Sequence, residues 1–423
     1  MVSPIMRGLL ILTASCVSAF LVGCGGSSHS NNNGGGGGGG GTANNVQSIA
    51  VNGGPVAGQI YANGAFTSVT VCVPNSSTCQ TVDGILVDTG SFGLRILQSV
   101  IPSLSLPLMT GSGGTTFYNC VSFVDRSFLW GAVAQADVEI SGEKASAASI
   151  QLIGDPTGFT VPTACSNGGV DVSNLARLGA NGIIGVGPFP QDCGQACAPS
   201  QGGTPPPVYF TCVASGNCQT AFVALAQQIV NPVVRFATDN NGVILEMQSV
   251  NVASATATGS MIFGIGTQSN NTLGSADFFP LGPSGFMTTL FNQKTLSESF
   301  IDSGSNGYFF PDSAIPQCGQ NSNAPGFYCP TGPMNLRAQN IDLNNAQNTV
   351  NFTVDNAVSD FQSNGSDAAF SNLAGSNGSD TCSGQTPCGF DWGMPFFYGR
   401  HVFTSIAGQA VPSGAPAAPW WAY

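Results

Sequence analysis

A seven-residue phrase occurs twice in this chain, and it limits what the chain can build more than any other feature. Ile85-Leu86-Val87-Asp88-Thr89-Gly90-Ser91 returns as Ser299-Phe300-Ile301-Asp302-Ser303-Gly304-Ser305. Each copy is an apolar strand ending in an acid, a small hydroxyl residue and a glycine. A single copy is what an ordinary turn after a strand looks like. Two copies point to a duplicated unit that brings two carboxylates together, and carboxylates close enough to share a proton do general acid/base work.

The 423 residues suffice for two core-bearing units, but the first stretch belongs to neither. Arg7 precedes an apolar run over 8–22 that closes Leu21-Val22-Gly23-Cys24. This is a signal-peptide layout, too short and wrongly flanked for a membrane-spanning helix. The ending resembles the bacterial lipoprotein signal, which implies that Cys24 is lipidated and becomes the first mature residue; a plain signal cleaved nearby is the alternative. Gly25, not Asp, follows, which in the enterobacterial sorting rule implies the outer membrane. The expected order is therefore a signal over 1–23, a lipidated Cys24 opening a Gly/Ser/Asn tether over 24–45, a first lobe over 46–245 and a second over 246–423. Eight consecutive glycines, 34–41, give the tether nothing to bury, and its reach is about 25 Å.

Twelve of the fourteen cysteines lie beyond Cys24. An even set in an exported chain reads as disulfides, with metal binding as the competing reading. Neighbours suggest Cys72–Cys79, Cys193–Cys197, Cys212–Cys218, Cys318–Cys329 and Cys382–Cys388, leaving Cys120 for Cys165, although spacing alone does not fix connectivity. Charge is sparse, nine basic against twenty-one acidic residues, and a net −12 supplies no basic stripe for nucleic acid. Only two histidines exist, His29 in the tether and His401 in an apolar run where a packed structural role is expected, so triad and His-rich metal chemistry are poorly served. A phosphate-cradling glycine loop is missing too.

Beyond the tether, β-branched runs alternate with Gly, Asn, Pro and Ser, which predicts a mainly β chain. Residues 69–73 and 81–87 read as a hairpin closed by Pro74-Asn75-Ser76-Ser77 and feeding into Asp88. Short strands are expected at 137–141, 149–153, 182–187, 233–237, 243–247 and 260–264. Residues 188–219 read as a disulfide-held insertion, 220–229 as the clearest helix, and 363–380 as a solvated loop.

With these motifs in order, the chain resembles a bilobal, pepsin-like aspartic peptidase, within an exported bacterial lipoprotein of otherwise unassigned family. Asn-Gly-Ile-Ile-Gly-Val-Gly at 181–187 is similar to the strand crossing behind that family's first catalytic loop, with Ile184-Gly185 at its centre. Gly259-Ser260-Met261-Ile262-Phe263-Gly264 resembles the strand that opens the second lobe, and Trp392-Gly393 the second crossing strand. The resemblance covers about residues 46–410 and is carried by short motifs. It implies a two-lobed, mainly β architecture with few short helices and an interlobe cleft. It implies that Asp88 and Asp302 activate a water to hydrolyse peptide bonds, without metal or organic cofactor, and that a monomer acts on polypeptides. Thr89 and Ser303 would bond across the lobes, Gly90 and Gly304 would permit the turns, and Ser91 and Ser305 would donate to the outer carboxylate oxygens.

Three departures accompany the match. The family's mobile hairpin offers a tyrosine, but the segment 122–131 has none, and Phe123 or Val124 falls at its place. Arg95 stands where a supporting tryptophan is usual, and Asp391 where an apolar residue is usual. A non-catalytic envelope lipoprotein that binds peptides or other ligands on the same scaffold is the alternative to the peptidase.

Overall fold

Alternating burial builds the first hairpin. In β2 (Tyr61–Cys72) Val69 and Val71 are buried while Ser68 and Thr70 are half-exposed, and β3 (Cys79–Asp88) becomes wholly buried over its last four residues. The two pair antiparallel, with Cys72 opposite Cys79 and a disulfide between them. Asn75 takes a left-handed φ of 57° in the turn, a conformation Asn tolerates well. These elements belong to a computed structural model that describes residues 44–154, 159–199, 203–213, 217–378 and 388–423. The signal segment, Cys24 and Cys382 lie outside them.

Among the described residues the chain is mainly β. One sheet has sixteen strands, another seven, and the three α-helices are short: Thr163–Ser166, Leu175–Leu178 and Ala357–Ser363. The strand β1 (Val46–Gly53) pairs antiparallel with β2 on one side and with Ala257–Phe263 on the other, so it joins the two halves of the sequence. Asn44 and Asn45, placed at the tether's end by the sequence, are part of this body: Asn45 is fully buried and its Nδ2 donates to the Phe263 carbonyl at 2.8 Å.

The halves repeat one local topology. In the first, β3 runs parallel to Gly182–Val186, which runs antiparallel to β4 (Phe92–Leu97). In the second, Lys294–Ile301 runs parallel to Asp391–Trp392, which runs antiparallel to Tyr308–Phe309. Glycines make the crossings possible: a Cβ at Gly185 would sit 2.3 Å from the Phe92 nitrogen, and one at Gly393 2.1 Å from the Gly307 oxygen. Aliphatic residues such as Val69, Leu94 and Ile184 fill the core around the first crossing. Around the second, Phe291, Phe310, Phe352, Phe390 and Trp392 pack ring on ring, with Phe390 and Trp392 stacked at 3.9 Å.

The five cysteine pairs that fall wholly within the described residues form as expected: Cys72–Cys79, Cys120–Cys165, Cys193–Cys197, Cys212–Cys218 and Cys318–Cys329. Other expectations fail. Residues 220–229 are not a helix; only Leu225–Gln227 makes a 3₁₀ turn. Their amides bond outward, Ala221 to the Tyr209 carbonyl, Val223 to the Cys197 carbonyl and Ile229 to the Tyr209 hydroxyl, so the apolar side chains are spaced by several partners rather than by one helix face. The expected strand at 233–237 is a 3₁₀ helix, Pro232–Arg235, started by Pro232 with Asn231 as its cap. The middle of the supposed solvated loop, Ala368–Phe370 and Leu373–Ala374, is core. His401 is not packed inside but exposed, its Nδ1 3.1 Å from Glu246. No helix among the described residues is long and apolar enough to cross a membrane.

Candidate active site

The two repeated phrases end side by side. The Thr89 amide donates to Ser303 Oγ at 3.1 Å and the Ser303 amide to Thr89 Oγ1 at 3.0 Å. Each hydroxyl then donates onward, Thr89 to the Ile301 carbonyl at 3.1 Å and Ser303 to the Val87 carbonyl at 2.8 Å. Four reciprocal, fully buried bonds thus hold the two loops in one geometry, as the resemblance implies.

The carboxyls are brought together inside this frame, each set against the other loop's glycine and near enough to perturb the other's titration. Gly90 N–H donates to Asp88 Oδ1 at 2.8 Å, and Gly304 N–H to Asp302 Oδ1 at 2.7 Å. Ser91 Oγ donates to Asp88 Oδ2, and Ser305 Oγ lies 2.9 Å from Asp302 Oδ2. Only glycine fits at the two turns, because a Cβ at Gly90 would lie 2.6 Å from Asp302 Cγ and one at Gly304 2.8 Å from Asp88 Cγ. Both acids are fully buried. Burial, then the charge of Asp302, pushes Asp88 well above the usual carboxylate range. Burial also raises Asp302, held back by Asp88 and by the donors of Gly304, Ser305 and Gly90. Such a pair carries one shared proton near neutrality, one member acid and the other base.

Beside the pair lie the turn of a hairpin, an apolar cluster and a buried tyrosine from another strand. The strands β5 (Phe117–Ser122) and β6 (Ser127–Ile140) form the hairpin, and in its turn Asp125 Oδ1 accepts from the Ser127 amide and hydroxyl at 2.8 and 2.7 Å. Phe123 is buried in one apolar cluster with Tyr61, Phe66, Phe92 and Leu178. Tyr61, at the start of β2, was not singled out by the sequence, where it is one tyrosine before a strand. Its hydroxyl is buried and makes no hydrogen bond among the described residues. Burial, followed by the charges of Asp88, Asp302 and Asp125, raises its pKa far above the ordinary tyrosine value. Next to Thr89 and Gly90 runs a narrow crevice walled by Phe92, Phe189, Phe286, Phe300 and Trp421.

Arg95 does support the hairpin, by polar means. Its Nη1 donates to Asn119 of β5 at 2.6 Å and to Gln151 of β7 (Glu143–Ile153) at 2.8 Å, and its Nη2 pairs with Asp192 at 3.1 Å. Asp192 also accepts from Asn119 at 2.9 Å and from the Tyr209 hydroxyl. Burial still raises Asp192, against the pull of Arg95 and these donors. Sequence reading found Arg95 but missed Asp192, which lies in the cysteine-rich insertion.

Among the described residues no group of three His, Cys, Asp or Glu side chains is placed to hold a metal ion. No curated protein matches the chain. Among solved structures it is similar to an aspartic proteinase from Irpex lacteus, at 15% identity and a TM-score of 0.46, over 85% of this chain and 93% of that one. Residues 41–423 match the family described as "Protein of unknown function (DUF3443)", and the chain belongs to that family.

Proposed function

We propose that the protein is an aspartic endopeptidase. The observation that carries the reading is the reciprocal frame of Thr89 and Ser303 around two buried carboxyls, each packed against the other loop's glycine. A water bound between Asp88 and Asp302 attacks the peptide carbonyl. Its proton goes to the ionised carboxylate, while the protonated carboxyl gives its proton to the carbonyl oxygen. The resulting gem-diol collapses as the C–N bond breaks and the nitrogen takes up a proton. No metal or organic cofactor takes part in this scheme. Residues 1–23 direct export, and Cys24 anchors the body to the outer membrane; this part rests on Arg7 with the apolar run after it, the Leu-Val-Gly-Cys ending and Gly25, and the monomeric state on the family resemblance.

A second reading has one observation in its favour: both aspartates have zero exposure, so a peptide reaches them only when the cover around them moves. On that reading the protein is a non-catalytic envelope lipoprotein that binds peptides or other ligands. Digestion of an unfolded protein mixture from pH 3 to 8, with Asp88→Asn and Asp302→Asn in parallel, separates the two. Acid-range cleavage lost in both variants supports the peptidase; folded but inert wild type supports the binder.

A further inference from the structure

Neighbouring residues at the start of β2 pack into different halves of the molecule. Tyr61 lies in an apolar cluster of the first half with Phe66, Leu86 and Phe92, whereas Ala62 lies with Phe309, Phe327, Phe370 and Leu373 of the second. Asn63 follows, 1% exposed and at a left-handed φ of 59° that suits asparagine or glycine. Its amide nitrogen donates to the carbonyls of Asn306 and Phe370, both at 2.8 Å. Its amide oxygen accepts from the Phe370 N–H and the Tyr398 hydroxyl, both at 2.7 Å. Both N–H groups and both lone pairs are thus used, and every side-chain partner stands at least 243 positions away.

These partners converge on the way out of the second catalytic loop. Asn306 is the residue after Ser305, and the Ser305 carbonyl accepts from the Met394 amide at 2.7 Å. Met394 opens the 3₁₀ turn Met394–Phe396, just before Tyr398, whose hydroxyl returns to Asn63. The circuit through Asn63, Asn306, Ser305, Met394 and Tyr398 therefore closes on itself across the halves. The first loop is held differently. Its Ser91 carbonyl accepts from Gly187 of its own half at 2.9 Å, and its exit strand β4 pairs over five residues with Gly182–Val186. The second loop's exit strand, Tyr308–Phe309, has only two residues, and a first-half side chain holds the Asn306 carbonyl before it.

We propose that Asn63 is a positioning residue of the site: it clamps the exit of the second loop to the first half and so keeps Asp302 at the separation from Asp88 at which the two share a proton. The Thr89–Ser303 bonds join the loops beside the aspartates. Asn63 supplies a second, separate attachment, and two attachments fix an orientation that one leaves free to pivot. Asn63 and Tyr398 do not touch the reacting atoms. In the proposed hydrolysis, on which this role in the reaction rests, a pivoting second loop loses the alignment of the two acids with the carbonyl.

A double-mutant cycle on the full chain tests this without substrate. Asn63→Gly keeps the left-handed backbone and removes all four side-chain bonds; Asp88→Asn removes one acid of the pair. The wild type, both single variants and the double variant are melted at pH 3 and at pH 7. Loops that part admit water and weaken each acid's effect on the other. The gain in melting temperature from Asp88→Asn at pH 7 should therefore fall by about half or more in the Asn63→Gly background. At pH 3, with both acids neutral, the two changes should add. Tyr61, Asp302 and, beyond Ser305, Asp391 are present in every member of the cycle, so their own titration cancels. Additivity at both pH values, the result of a merely structural asparagine, overturns the proposal. Tyr398→Phe removes one of the four bonds and carries the same cycle should the glycine variant not fold. In a cleaving enzyme Asn63→Gly should lower kcat about tenfold or more, with KM within about twofold. An unchanged kcat overturns the role in the reaction. A coupled cycle in a wild type that cleaves nothing defeats the peptidase reading and leaves the clamp standing.

Discussion

Tyr61 and Asp88 each hold a group in an environment that costs stability, and the cost is measurable at each. The unpaired Tyr61 hydroxyl is buried within the field of both aspartates. Tyr61→Phe removes it without changing the ring, and should raise stability by about 1 kcal/mol in denaturant melts. If that hydroxyl serves the substrate, the same change should lower cleavage by about tenfold; a variant that is more stable and fully active would deny it that service. For Asp88 the sign follows from linkage. A carboxyl whose pKa is raised in the folded state contributes stability that is full below about pH 4 and fades as the pH rises through the raised value. Asp88→Asn, always neutral, should therefore be more stable than wild type at pH 7 and nearly equal to it at pH 3. Thermal melts across that range check it, and a gain that grows toward acid pH would contradict the raised pKa. The two aspartates and their four neighbouring hydroxyls were readable because the repeat marks them. Asp391 was visible only as an odd residue, since its contact with Ser305 spans 86 positions that no local pattern connects.

At the scale of elements, reading succeeded where one physical constraint acts alone. The β2–β3 hairpin shows alternating burial and a cysteine at each side of its turn, and both signals are local. The segment 220–229 has apolar spacing suited to a helix, yet its amides are claimed by Tyr209 and Cys197, and tertiary bonds outweigh a short run's weak propensity. Pro232 similarly turns a β-branched run into a 3₁₀ helix. The crossing strands were legible from their glycines, and those glycines are strict. Gly185→Ala should cost about 3 kcal/mol or more, because the new methyl meets the Phe92 backbone of the adjacent strand rather than a side chain that can swing away. A chemical melt of that variant within about 1 kcal/mol of wild type would mean that the strands part easily, against the close packing expected of a protein core.

Across the whole molecule, few charges and small side chains are offset by covalent links. The Cys120–Cys165 bridge closes the longest of the described disulfide loops, 45 positions, against 4 for Cys193–Cys197. On chain entropy alone the first is worth about 4 kcal/mol and the second about 2 kcal/mol. Replacing both cysteines of each pair by serine should reproduce that order in unfolding free energies; the reverse order would show that native packing, and not loop closure, governs their worth. The two-halved plan came through in the sequence because duplication repeats its own signature, whereas the seam between the halves did not. That seam is β1, laid between β2 and Ala257–Phe263 and fastened at its start by Asn45. For a body held from its N-terminus, any tug therefore enters lengthwise along a strand bonded on both edges. Under the proposed N-terminal anchorage its ladders would be sheared together rather than unzipped one by one, and the seam would double as the mount that bears mechanical load.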